Sequence, residues 1–501
     1  MDTKSQYFDI IVAGAGMGGL STATILAKKG YSVLLLEASH LAGGCSSSYF
    51  RKGYIFESGA TTLIGFDENQ PLNELEKLVD VQIPKEPITP PMKVHQNGKQ
   101  ITRWQDKNKW VREVIRHFGE EKEQEQFWEL IFQISDVVWK AALQNKTFPP
   151  NKLSEWFHLF RNDLRDVWIL PYAFYSVKQT ASKIGISNPE FYRFLDEQLV
   201  ITAQASSVET PFLFGAPALS YTNSTNYYVP GGLIEMVKVL LSRFEELGGV
   251  FLNREVVQSI EKRNGGYHVY AGKDNTYRAK VVISNLPVWN LPDLTQGKIA
   301  NYFSDESKKY DKAWGAFTMG IVTDDIYPEE MPIHHQIHIS PEEKVMGMDS
   351  DSLFVSLSKR GDRARAKNGN RVVSVSTHSS PEPWFDPTLD YNKAKHAVEE
   401  QIKEILKDKL PRFSQAGIKL LFSSTPVSWS KWVYRKKGRV GGIPQNMSRS
   451  LLDWTPAETP FEGLFLCGDT VFPGQGIPGV TLSGINVSYR VDKYLKNLRQ
   501  N

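Results

Sequence analysis

The stretch FDIIVAGAGMGGLSTATILAKKGYSVLLLEAS, at 8–39, constrains the fold more than any other part of the chain. Phe8, Ile10, Ile11 and Val12 make a short apolar run typical of a buried parallel strand, and it leads straight into glycines 14, 16 and 19. Leu20, Ala23, Ile25, Leu26 and Ala27 then give a helix-like apolar face that stops at Gly30. A second buried strand, YSVLLLEAS, carries an acid at Glu37. Strand, G-x-G-x-x-G, helix, strand and an acid about 20 residues past the glycines form the βαβ unit of a dinucleotide fold. Gly14 allows the tight turn, Gly16 lets backbone N–H groups approach a diphosphate, and Gly19 lets the helix pack on the strand. Met17 and Gly18 lie within this segment and Ala38 follows the acid; all three count with the cofactor-binding residues. Glu37 can accept hydrogen bonds from an adenosine ribose, and its charge repels a 2′-phosphate, which argues against NADP.

The same spelling recurs near the other end, as GQGIPG at 474–479. A strand-like LFLC precedes it, but Pro478 lies inside the motif and too few residues follow for another helix, strand and acid. A second nucleotide unit is excluded, and those glycines need another explanation.

Composition narrows the classes. A chain of 501 residues should hold two or three structural modules, and 41% apolar with 23% charged residues is ordinary for a globular protein. A net charge of +3 is too small to imply a nucleic-acid partner, and RKKGR at 435–439 reads as a solvated loop. Two cysteines, Cys45 and Cys467, cannot build a disulfide framework and suit a reducing compartment. A short polar lead runs directly into the first strand, and no stretch reaches the ~18 uninterrupted apolar residues of a membrane span. The expected location is cytoplasmic, at most peripheral on the cytoplasmic membrane face. One segment, EWFHLFRNDLRDVWILPYAFYSV, bears on that periphery through Trp156, Phe157, Phe160, Trp168, Ile169, Leu170, Tyr172, Phe174 and Tyr175, with Arg161 and Arg165. Two readings stay open for it: a core helix, or a helix that lies in a lipid interface or frames an apolar pocket. His334, His335 and His338 in PIHHQIH lack an accompanying Cys, Asp or Glu at ligand spacing and alternate like a strand, so no metal is expected.

The fold class expected is α/β: a Rossmann-like nucleotide-binding domain interrupted by a mixed α+β substrate domain with helical, membrane-facing segments. The boundaries drawn are 1–65, 223–299 and 415–501 for the nucleotide-binding parts, and 66–222 and 300–414 for the insertions. A helix at 233–247, a strand at 250–252, a β-meander and a buried strand at 280–284 mark the αβ rhythm of the middle part. SLFVSLS and RVVSVST read as half-exposed antiparallel strands.

Three blocks carry a resemblance. They are VAGAGMGGLSTATILAKKGYSVLLLEASHLAGGCSSSYFRKGYIFESGATTLIG, YYVPGGLIEMVKVLLSRFEELGGVFLNREVVQSI and LFLCGDTVFPGQGIPGVTLSGINVSYRV. On them the chain resembles the FAD-dependent amine oxidase-like superfamily, and within it the phytoene desaturase and carotenoid isomerase group. The resemblance implies FAD as the cofactor. It implies that Gly43 and Gly44 pass backbone against the diphosphate, that Ser46 to Ser48 donate further hydrogen bonds, and that the backbone at Val256 holds the adenine edge. SNLPV at 284–288 would turn beside the diphosphate. Gly468 and Asp469 would meet the ribityl and diphosphate region, with Asp469 accepting hydrogen bonds. Gly474, Gly476, Pro478, Gly479 and Val480 would form a flavin loop, with N–H groups around Gly479 and Val480 facing the edge where reduced flavin gathers charge. The implied substrate is a carotenoid or similar long apolar polyene, and the leading reaction is desaturation with hydride passing to flavin N5. Isomerases and saturases of the same group share these motifs. No catalytic residue is assigned, and a quinone or oxygen is the plausible electron acceptor.

Overall fold

The computed structural model describes residues 6–149, 164–309, 313–367, 369–448 and 453–500. Trp156, Phe157, Phe160 and Arg161 of the aromatic segment lie outside these residues. The first sheet is built on β1 (Gln6–Ala13), followed by α1 (Met17–Lys28) and β2 (Val33–Leu36). β1 lies between β2 and Asn275–Ser284, parallel to both. Val250–Leu252 extends the sheet beyond β2, and Leu464–Leu466 joins the far end of Asn275–Ser284, both in parallel. Ile10, Ile11, Val12 and Ala13 are fully buried, as a strand covered on both faces requires. Val257–Arg263 and Gly266–Ala271 add the expected meander as an antiparallel edge.

α1 is buried along all but its last residue. Its small residues allow close packing, and the hydroxyls of Thr22 and Thr24 donate to the carbonyls of Gly18 and Leu20 instead of remaining unpaired. The long final helix, Ile477–Gln500, packs on α1 so closely that a Cβ on Gly484 would stand 2.7 Å from the Gly18 carbonyl oxygen.

The second sheet also has seven strands, in the order Ile418–Ser424, Gly315–Asp324, Asn370–Ser379, Ser352–Leu357, His334–His338, Met92–Gln96, Lys99–Arg103. Its last two strands come from the first insertion, 66–222, and Ile418–Ser424 lies past residue 414, where the second was expected to end. SLFVSLS and RVVSVST pair antiparallel, but Ser352–Leu357 is buried on both faces and not half-exposed. The reason is double cover. The helix Tyr391–Lys409 sets Val398, Ile402, Ile405 and Leu406 against Phe317, Met319, Val373 and Val375 on one face. On the other face Met92, Val94 and Ile101 pack into a helical cluster with Trp110, Trp128, Phe191 and Phe194. The expected helix at 233–247 is Ile234–Glu246, and the expected strand Val250–Leu252 is present. The α/β class is borne out. Among the described residues no helix is long and apolar enough to cross a membrane.

Candidate functional site

Where β1 ends, Gly14 takes φ +95° and its N–H donates to the Leu36 carbonyl at 2.8 Å. That conformation favours glycine, and it starts α1 within three residues. A Cβ on Gly19 would stand 2.1 Å from the Gly14 carbonyl oxygen, so α1 reaches the strand only with glycine there. The Asn285 side chain separates this loop from the C-terminal strand. A Cβ on Gly16 would meet its Nδ2 at 2.7 Å, and Cβ atoms on Gly18 and Gly468 would meet its Oδ1 at 2.7 and 2.8 Å. The SNLPV turn therefore places one amide among three glycines from both ends of the chain.

These elements enclose one cleft of about 290 Å³. Gly14, Gly16, Met17, Gly18, Glu37, Ala38, Gly43, Gly44, Val256, Gly468, Asp469 and Val480 line it. Gly19, Gly476, Pro478 and Gly479 do not; they shape the turns behind it. Gly43 is left-handed at φ +101°, and its N–H donates to the Ala15 carbonyl at 2.8 Å, which brings the 43–44 turn against the first loop.

The Glu37 carboxylate accepts hydrogen bonds from the N–H groups of Ala15 and Ser39, each at 2.8 Å. Burial pushes its pKa up, and those two bonds oppose the shift. It is therefore an anchor for the loop as well as an acceptor at the cleft. The Val256 carbonyl is occupied by the Gly272 N–H at 3.0 Å. Ser46 lines the cleft, but the Ser48 hydroxyl donates to Glu57, which is ion-paired with Arg365 at 3.0 Å. Ser48 thus holds the junction of the two sheets and is not a cleft donor.

RKKGR is not a uniformly solvated loop. Lys436 and Lys437 are exposed, but Arg435 is buried and its Nη2 donates to Asp469 Oδ2 at 2.7 Å. Burial disfavours the charged Arg435 guanidinium, but the charge and hydrogen bond of Asp469 together with the neighbouring Cys45 offset it and hold the pKa above its ordinary value. Asp469 is thus half of a buried ion pair on the cleft wall, and Arg435 is a lining residue that composition alone did not distinguish. Cys45 also lines the cleft, and burial pushes its thiol up. Burial pushes Cys467 up to about 12, so neither cysteine is a thiolate at neutral pH.

At the second G-x-G-x-x-G, Gly474 and Gly476 take φ +105° and +83° and start the final helix at Ile477. The Val480 N–H donates to the Gly476 carbonyl at 2.9 Å and so is not free to face a ligand, contrary to expectation. Pro478 has no N–H, which leaves Ile477 and Gly479 as the first-turn donors. Pro478 instead packs under Gly65, where a Cβ would stand 3.0 Å from its ring.

A smaller cavity, about 20 Å³, lies across the ESGATT segment from this cleft. The Cys45 carbonyl, which accepts from the Ala60 N–H at 2.9 Å, belongs to the wall between the two. Tyr49, Phe56, Gly59 and Thr61 face Thr318, Phe354, Ser374 and Ser376 of the second sheet across it. None of these positions was legible as a site residue, because strand pairing across long sequence separations has no local signature.

The histidine run is the strand His334–His338, buried throughout. His335 lies between the Pro332 carbonyl at 2.8 Å and His95 at 3.0 Å, and His334 Nδ1 meets the Ser356 hydroxyl at 2.7 Å. Burial holds His334 and His338 at about 3 and His95 at about 4, so these rings are neutral.

The sequence pattern of the family described as flavin containing amine oxidoreductase matches residues 17–492. A prolycopene isomerase of the chloroplast of Daucus carota is 29% identical over 502 residues, covering 97% of this chain and 80% of that one. A 4,4'-diapophytoene desaturase of Methylomonas is 23% identical, covering 94% and 92% of the two chains. A solved structure of a redesigned putrescine oxidase shares the fold with a TM-score of 0.66 at 14% identity, covering 98% of this chain and all of that one.

Proposed function

The chain belongs to the flavin-containing amine oxidoreductase family and is an FAD-dependent oxidoreductase, and we propose that it alters the double bonds of a carotenoid-like polyene. The observation that carries this reading is one cleft that takes its walls from the first glycine loop, the acid Glu37 and the CGD strand end at once, beside a separate cavity on the second sheet. The cleft suits FAD because side chains are excluded at Gly16, Gly18 and Gly468, where a Cβ would collide with Asn285. A dinucleotide can then approach the backbone itself. In this reading Glu37 accepts from the ribose, the N–H groups of the glycine turns take the diphosphate, and Arg435 and Asp469 meet the ribityl region. The Ile477 and Gly479 N–H groups supply positive potential at the start of the final helix.

When bound, FAD supplies a two-electron acceptor or donor for the carbon–hydrogen bonds of the substrate. The chain's own part is to hold the polyene, orient it across the wall at Cys45 and Gly59, and exclude water. Desaturation was the leading reaction on sequence; the higher identity to a prolycopene isomerase than to a desaturase favours cis–trans isomerisation as the second reading.

The aromatic segment supports contact with a membrane from which such a substrate would be drawn. Leu164–Ala173 is a 3-10 run that contains Pro171, with Ile169 and Ala173 buried in the helical core. Trp168, Leu170, Phe174 and Tyr175 are exposed beside it, Phe174 at 71%. The Lys183 ammonium lies 3.2 Å from the centre of the Tyr175 ring, so a cation borders this apolar patch. In this reading the protein acts peripherally on the cytoplasmic face and passes electrons to a quinone or oxygen.

Expression in a carotenoid-producing host, followed by chromatography and mass analysis of the pigments, tests the proposal. A two-hydrogen mass loss with a red-shifted spectrum identifies desaturation, and a new isomer at constant mass identifies isomerisation. Unchanged pigments with every polyene supplied would overturn the substrate assignment, while leaving the FAD assignment standing.

A further inference from the structure

The small cavity has a floor that an all-hydrocarbon ligand would not require. One face of the second sheet presents Thr318, Ser376 and Phe354 in one row, since Thr318 pairs with Ser376 and Ser376 with Phe354. The neighbouring row carries Gly320, Ser374, Ser356 and His334, in that order across four strands. Thr318, Ser374 and Ser376 all line the cavity. The Ser374 hydroxyl is buried with no hydrogen-bond partner among the described residues, and so is Nε2 of His334, whose ring stacks on Phe354 at 5.9 Å. The opposite wall sets Tyr49 and Phe56, stacked at 5.9 Å, beside Glu57, Ser58 and Thr61 of the ESGATT segment.

Buried polar groups are normally paired, and an unpaired one opposes folding. A sheet face built only to seat a hydrocarbon would carry apolar side chains at these inward positions, as the opposite face of the same sheet does with Phe317, Met319, Val373 and Val375. Three hydroxyls of one sheet face open on the cavity, one of them without a partner, and form a recognition surface for a polar atom. The ESGATT segment places that surface one backbone strand away from the cleft assigned to FAD.

We propose that Thr318, Ser374 and Ser376 determine specificity by hydrogen-bonding an oxygen function, hydroxyl or carbonyl, on the polyene, so that an oxygenated chain is preferred over a hydrocarbon. This rests on the polyene reading of the site. A site built to pair a polar group discriminates strongly against the analogue that lacks it, whereas an apolar site barely rejects an added hydroxyl.

The test uses the full-length flavoprotein with lycopene, lycopene bearing one terminal hydroxyl and lycopene bearing one terminal aldehyde, each supplied in liposomes. Binding is followed through the flavin absorption spectrum. The oxygenated forms are expected to bind at least about ten-fold more tightly than the hydrocarbon, the factor of one hydrogen bond. Ser374→Ala and Ser376→Ala should each narrow that ratio, and Ser376→Thr, which keeps the hydroxyl, should preserve it. Equal binding of all three polyenes, or a ratio unmoved in the alanine variants, would overturn the specificity proposal and mean that the hydroxyls hold only a trapped water. A flavin spectrum that responds to none of the polyenes would overturn the polyene reading and this proposal together.

Discussion

The two G-x-G-x-x-G segments share a spelling, and the structure shows which letters share a job. The first glycines, Gly14 and Gly474, are both left-handed, at φ +95° and +105°. The third glycines, Gly19 and Gly479, both lie against the carbonyl of the first, where a Cβ would stand 2.1 and 2.8 Å from the Gly14 and Gly474 oxygens. Each segment is thus a turn that launches a helix packed against its own turn. Only the middle glycines differ. Gly16 has an ordinary φ of −63° and is needed for room beside Asn285. Gly476 has φ +83° and open space, and is needed for its conformation. Motif matching captures the turn geometry at both places, but a nucleotide fold also needs the parallel strand and acid that only the first segment has.

The strongest way to break this comparison is at the third glycines. Gly19→Val is expected to destabilise the protein by about 3–5 kcal/mol, because backbone must move to admit the side chain. Thermal unfolding and flavin content should fall together. Gly479→Glu should act more narrowly: loss of bound flavin and activity, with the rest of the chain still folded by circular dichroism. Full activity in Gly479→Glu would remove the final helix start from the site. Equal unfolding of both variants would mean that the two turns have the same structural weight.

Arg435 gives the next smaller effect and shows where sequence reasoning stopped. Arg435→Met leaves Asp469 buried without its cation, and removing one partner of such a pair costs about 2–3 kcal/mol after allowance for the 17% exposure of Asp469. Weaker flavin retention should accompany the loss, and Asp469→Asn in the same chain should recover part of the stability. An unchanged melting temperature in Arg435→Met would show that the pair only shapes the cleft. Nothing local marks Arg435, since the next two residues of RKKGR are exposed lysines and only the tertiary fold turns the first arginine inward.

The same limit explains most of what was missed. β1, α1 and β2 were legible because buried runs, glycines and a terminal acid act within about 30 residues. The second sheet was not, because His335 meets His95 across 240 residues and pairings of that range leave no local pattern. Ser374 and Ser376 read as the polar side of a half-exposed strand; what makes them notable is the cavity they line. Val480 failed for the opposite reason: the motif located its residue correctly on the cleft, but helix geometry had already consumed its N–H.

The finest test separates the middle glycines, where conformation and space make opposite predictions. Gly476→Ala forces a side chain into a left-handed position, which costs about 1 kcal/mol, yet its nearest neighbour would be Pro478 Cδ at 3.9 Å. Its signature is a lower melting temperature with flavin affinity held within about three-fold. Gly16→Ala keeps a permitted backbone, but its Cβ would come 2.7 Å from Nδ2 of Asn285, so an amide that lines the cleft must move. It should weaken flavin binding about ten-fold, the size of one lost backbone contact, while changing stability by less than about 1 kcal/mol. Measuring melting temperature on the flavin-free protein and affinity by flavin titration keeps the two quantities apart. If Gly16→Ala lowered stability and spared binding while Gly476→Ala did the reverse, the roles assigned to the two loops would have to be exchanged.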